Sequence, residues 1–210
     1  MAELFIYGIV LGSIIALGAV GLTLVFGIIR FPNFAHGDLM AAGAYVALFM
    51  VSGFLAWIGI PETVFSPLSF GWRTLIAFPV SMAVVAAVAI LLDRILYQKL
   101  RRKKSNAAIL AMSSLGAAFI LRMIILILWG ADSLFYRPGV LRPALALPLG
   151  VKIRPDQEFI FLLALGLIGA LHLFLRKTKM GKAMRATADN TELALVSGID
   201  TERIIIWTWG

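Results

Sequence analysis

Three polar side chains, Asn33, His36 and Asp38, stand together in Phe31-Pro32-Asn33-Phe34-Ala35-His36-Gly37-Asp38-Leu39-Met40, just after a long run with no ionisable residue. Pro32 and Gly37 break a helix there, and Asp38 is placed to cap the next one by accepting its free backbone N–H groups. A capped turn accounts for Gly37 and Asp38 but gives no reason for Asn33 and His36 to stand beside them. Broken helices that carry polar groups line transport pathways, because non-helical backbone at membrane depth needs protein or water partners. Asn33, His36 and Asp38 are therefore expected in a pathway or gate, with Arg122 as its fourth candidate. Arg122 also sits among apolar neighbours, and two readings stand for it. It finds a partner or water inside, since insertion scales penalise Arg at a helix centre by about 2.5–3.5 kcal/mol. Otherwise its stem carries the charge to the interface near Trp129, about 10 Å away at helical rise. His172, one turn from Arg176, reads as an interfacial histidine rather than a proton relay. The chain holds no paired carboxylates, no Ser/His/Asp set, no metal-ligand cluster and no phosphate-binding glycine loop, so no enzyme is expected.

The elements that must position these groups are membrane helices. Of 210 residues, 61% are hydrophobic and only 14% charged, with a mean hydropathy of +0.96. A soluble domain is typically about 45–50% apolar and about 25% charged. About 20 helical residues cross a hydrocarbon core about 30 Å thick. Residues 4–29, 39–60 and 75–92 form uninterrupted apolar runs, while 107–129 is broken only by Arg122 and 159–175 only by His172. The expected fold is all-α: a polytopic transmembrane bundle of five complete helices and the start of a sixth, in one domain over residues 1–210. The amino-terminal run lacks a basic flank and is too long for a cleaved signal, so a retained helix is expected. Gly8, Gly12 and Ala16, Gly43 and Ala47, and Gly166 and Ala170 are spaced for close helix packing in lipid. With no cysteine there is neither a disulfide framework nor a thiolate metal site.

Charge sets the orientation. Residues 93–105 carry Arg94, Lys99, Arg101, Arg102, Lys103 and Lys104, and residues 176–185 carry Arg176, Lys177, Lys179, Lys182 and Arg185. By the positive-inside rule both segments are cytoplasmic, which puts residues 61–74, residues 130–158 and the amino terminus outside. Segment 130–158, with Pro138, Pro143, Pro148 and Pro155, reads as irregular and extended. The formal charge of +8 is thereby a topology determinant, and no nucleic-acid partner is inferred from it.

After the second basic cluster comes Met180-Gly181-Lys182-Ala183-Met184-Arg185-Ala186-Thr187-Ala188-Asp189-Asn190-Thr191-Glu192-Leu193-Ala194-Leu195-Val196-Ser197-Gly198-Ile199-Asp200. Asp189 and Glu192 have capping-box spacing and Gly198 is a natural stop, which predicts a short helix over about 190–197. Isolated helices need about 12–15 residues in water, so this one must dock on something cytoplasmic.

Residues 21–46, with Asn33-Phe34-Ala35-His36-Gly37-Asp38, and residues 181–204 resemble the permease subunits of branched-chain amino acid importers of the ATP-binding-cassette family, and the likeness runs along nearly the whole chain. Glu192-Leu193-Ala194, followed three residues later by Gly198, is similar to the Glu-Ala-Ala loop through which such permeases contact their ATPases. The resemblance implies a cytoplasmic coupling loop over 176–203, with Arg185, Glu192, Ala194 and Gly198 in it. It also implies a second permease subunit, identical or not, two cytoplasmic ATP-binding subunits and a periplasmic substrate-binding protein, all assembled at the bacterial inner membrane. ATP would be bound by the partners, with no cofactor in this chain. Leucine, isoleucine or valine would be the substrate, with urea or short amides next. A channel or structural subunit without ATP coupling is the alternative class. Members of the family continue for several helices beyond the loop, so the resemblance implies that these residues are the amino-terminal part of a longer permease.

Overall fold

A computed structural model describes residues 2–61, 63–66, 68–136, 145–147 and 151–209, with side chains described for all but 2, 3, 145–147 and 151–153. Five of its helices are long and apolar enough to cross a membrane. These are α1 (Ala2–Ile29), α2 (His36–Trp57), α3 (Trp72–Arg102), α4 (Ala107–Trp129) and α5 (Pro155–Lys177). Three shorter helices follow, α6 (Lys179–Asp189), α7 (Thr191–Val196) and α8 (Thr201–Trp209). This is the expected polytopic helical membrane bundle.

Several boundaries differ from expectation. The third helix continues past residue 92 to Arg102 through a π-helical turn, Asp93–Tyr97. The basic residues from Arg94 to Arg102 therefore belong to a helical end rather than a loop. That end is held by the Asp93 carboxylate, which accepts two bonds from the Arg101 guanidinium at 2.7 and 3.1 Å, and by the buried Tyr97. A second π-helical turn, Met50–Phe54, lies inside α2. Segment 130–158 is not wholly irregular, since β1 (Leu145–Leu147) and β2 (Val151–Ile153) pair as a short antiparallel hairpin with Leu145 opposite Ile153. Glu62, Arg137, Pro138, Arg142, Pro143 and Pro148 lie outside the described residues, while Pro155 opens α5, where its missing N–H costs nothing.

α2 runs between α3 and α4, and α1 runs beside α5. Gly43 in α2 sits tight against α3, where an added Cβ would come within 3.2 Å of Val85. The other small-residue rows do not behave that way, because Gly8, Gly12 and Gly166 have open space around them among the described residues. The buried core concentrates at the end of the bundle where α1 stops, around Val25, Ile28, Phe31, Tyr97, Met184 and Trp209. Away from that end the helices turn large apolar side chains outward, including Leu11, Ile15, Phe119 and Ile127, which only an apolar surrounding or a partner can accept.

Candidate pathway segment and coupling loop

The helix α1 ends because Arg30 adopts a positive φ of 58°, reversing the chain. Residues 31–35 then run non-helical and close in a turn over 33–36, with Phe31, Asn33 and Ala35 buried and Pro32 and Phe34 exposed. The direction of that run is the informative feature. His36 Nε2 lies 3.1 Å from the carbonyl oxygen of Gly18, eleven residues before Ile29, or about 16 Å back along α1 at ~1.5 Å per residue. The segment therefore climbs into the bundle, and α2 starts well inside it.

Non-helical backbone at that depth must find its partners in the protein. The Phe34 N–H donates to Ser114 Oγ at 3.0 Å, the Ala35 N–H to Asn33 Oδ1 at 3.1 Å, and the His36 N–H to the Asn33 carbonyl at 3.3 Å. Pro32 has no N–H to satisfy. Space for the climb comes from two glycines of α1 that the sequence reading passed over. A Cβ on Gly21 would press on the His36 ring at 3.3 Å, and one on Gly18 would meet the end of Met40 at 3.0 Å.

Asp38 is not a cap. The start of α2 has no side-chain cap, and the Asp38 carboxylate instead accepts from Arg122 Nε at 3.0 Å and Arg122 Nη2 at 3.4 Å. Of the two readings of Arg122, the partner is thus the one realised, and the partner comes from the break itself. Asn33 looks the other way, accepting through Oδ1 from the Tyr97 hydroxyl at 3.3 Å. Tyr97 packs on Phe31, with centroids 5.2 Å apart, and stacks on Trp209 at 5.6 Å. His172 is exposed on α5, away from these groups.

The second constellation lies at the end where α1 stops. A sharp elbow at Thr178 separates α5 from α6. The Thr178 hydroxyl donates to the Phe174 carbonyl at 2.7 Å and accepts from the Gly181 N–H at 2.9 Å. Gly181 permits that elbow, since a Cβ there would run into Leu175 Cα and the Phe174 carbonyl oxygen. The expected capping pair at α7 is not formed. Asp189 closes α6, and the N-cap of α7 is Asn190, whose Oδ1 accepts from the Leu193 N–H at 3.0 Å. Gly198 ends the element as expected, at φ 83°, with its own N–H on the Leu195 carbonyl and that of Ile199 on the Ala194 carbonyl, both at 3.0 Å. Ala194 faces inward, while Arg185 and Glu192 are exposed and Leu193, Leu195 and Val196 are 60–86% exposed.

One residue that sequence reasoning missed joins the two constellations. Arg30 Nη2 donates to the carbonyls of Ala188 at 2.9 Å and Asp189 at 3.0 Å, placing a cation on the negative end of α6. The same end is braced from α3, where Gln98 Nε2 donates to Glu202 at 3.0 Å and Arg101 lies 3.8 Å from it. Among the described residues no group of three His, Cys, Asp or Glu side chains could hold a metal ion.

Comparison with known proteins gives a consistent result. The sequence profile of the family described as branched-chain amino acid transport system / permease component matches residues 4–210. The high-affinity branched-chain amino acid transport system permease protein LivH of Escherichia coli strain K12 is 31% identical over 222 residues, covering 100% of this chain and 68% of that protein. The corresponding protein BraD of Pseudomonas aeruginosa is 30% identical over 207 residues, covering 96% and 64%. A probable branched-chain amino acid transport permease of Methanocaldococcus jannaschii is 28% identical over 213 residues, covering 96% and 59%. No solved structure matches.

Proposed function

This chain belongs to the family of branched-chain amino acid transport system permease components, and from that premise we propose that it is the translocating subunit of an ATP-binding-cassette importer for leucine, isoleucine or valine. The reading takes the climbing segment, with Asn33, His36, Asp38 and Arg122, as part of the pathway. It takes α6 and α7, with Arg185, Glu192, Ala194 and Gly198, as the surface pressed by ATPase subunits. Two ATPases bind the nucleotide, a second permease subunit completes the path, a periplasmic binding protein delivers substrate, and this chain itself carries no cofactor.

The observation that supports this reading best is the grip of Arg30 on the last carbonyls of α6. A displacement of α7 and α6 by closing ATPases reaches the foot of residues 31–35 through Arg30 and the buried Met184, without passing along α5. The exposed Leu193, Leu195 and Val196 offer those ATPases an apolar contact on a helix too short to hold its shape alone. Rigid elements that move as bodies and repack at their contacts are what such switching needs.

The test is uptake by the full complex in proteoliposomes, with ATP inside and the binding protein outside. Labelled leucine should accumulate only when ATP, both ATPases and the binding protein are all present. Passive equilibration without ATP would instead assign the chain to a channel.

A further inference from the structure

Resting on the transport reading, we infer that the free edge of the Arg122 guanidinium is the seat for the α-carboxylate of the amino acid in transit, with Asp38 as the residue that aims it. An arginine presents five N–H donors in a planar fork that fits carboxylates two at a time. Asp38 engages Nε and Nη2, which leaves Nη1 without a partner among the described residues. The Arg122 side chain is 58% exposed, whereas that of Asp38 is 10% exposed, so the carboxylate lies inward and the unused donors face outward.

The location makes that exposure costly unless something answers it. Arg122 is fifteen residues from the start of α4 and seven from its end, about 22 and about 10 Å by helical rise. Its neighbours at this level, Phe119 and Met123, are exposed and apolar. A half-satisfied cation there requires an anion or water. The Asp38–Arg122 pair carries no net charge, and neither does a zwitterionic amino acid, so seating one brings no net charge to membrane depth.

The surroundings also suit an apolar side chain. Tyr45 and Trp129 pack with centroids 5.4 Å apart, each seven residues beyond its helix's member of the ion pair. The two contacts are therefore rungs between parallel helices, the aromatic one about 10 Å nearer the outer end at ~1.5 Å per residue. A carboxylate on the lower rung leaves the rest of the molecule free to lie toward the aromatic one.

The competing role for the pair is a pin holding α2 against α4, and charge exchange separates the two. Both R122K and the exchange D38R/R122D are assembled with the full set of partners and assayed for leucine uptake alongside complex abundance. R122K keeps the charge but loses the fork, and should lower uptake about tenfold at normal abundance. The exchange restores a pin but puts the guanidinium on the wrong helix, and should assemble without transporting. Parental uptake by either variant overturns the seat, and so does failure of both to assemble, which assigns the pair to the fold. A parent complex that hydrolyses ATP yet takes up no branched-chain amino acid overturns the transport reading itself.

Discussion

Gly198 holds a φ of 83°, a region that costs a residue with a Cβ roughly 1–2 kcal/mol, and no described residue crowds the position. Gly198→Val should therefore leave membrane abundance near normal while copurification of the ATPases falls several-fold, because the strain sits in the coupling element and not in the bundle. Asn190→Ala removes the N-cap of α7, worth about 0.5–2 kcal/mol, and should weaken the same copurification more than Glu192→Ala, whose side chain caps nothing. Equal effects of those two changes would count against the cap. Gly181→Ala should act earlier, lowering abundance itself, because the new methyl group collides with backbone at the elbow rather than with a side chain that can move. Of these positions Gly198 was legible in the sequence, since a glycine after a short apolar run is a helix stop. The choice between Asp189 and Asn190 was not, because both can cap, and the Arg30 contact that marks where α6 ends comes from a residue 159 positions away.

At the scale of elements, the break between α1 and α2 was visible in Pro32 and Gly37, and so was the oddity of Asn33 and His36 beside it. That the chain climbs inward was not. A non-helical run of five residues has no periodicity long enough to read, and its partners Ser114 and Gly18 are distant in sequence. The climb depends on Ser114, which is fully buried. Ser114→Ala leaves the Phe34 N–H without its acceptor, a loss of about 1 kcal/mol or more. The purified complex should melt several degrees lower, with Ser114→Thr, which keeps the hydroxyl, nearer the parent. An unchanged melting temperature for Ser114→Ala would mean that this backbone group finds another partner. Arg30→Ala should dissociate two readouts, leaving ATPases bound and hydrolysing while leucine uptake falls at least about tenfold, since it cuts the polar link from α6 to the foot of the climbing segment and touches neither the α7 surface nor the Asp38–Arg122 pair.

For the whole molecule, the charge pattern and the fold give independent accounts of which segments share one end, and they coincide. Lys and Arg excess places residues 93–105 and 176–185 on one side. The structure gathers the same two segments at one end of the bundle by contacts that owe nothing to that rule. Arg30 holds α6, Gln98 holds Glu202, and Tyr97 stacks on Trp209. Residues 130–136 lie at the opposite end, where the Tyr136 hydroxyl donates to the Ala44 carbonyl at 2.7 Å. The chain has no cysteine, so single introduced thiols report without background. Lys103→Cys and Ser133→Cys, both at exposed positions, should be labelled by a membrane-impermeant maleimide in opposite patterns. In spheroplasts Ser133→Cys should react and Lys103→Cys should be protected until the membrane is opened. A shared pattern would break the alternation of five spans, and the reverse pattern would turn α7 toward the outside, where no ATPase could reach it.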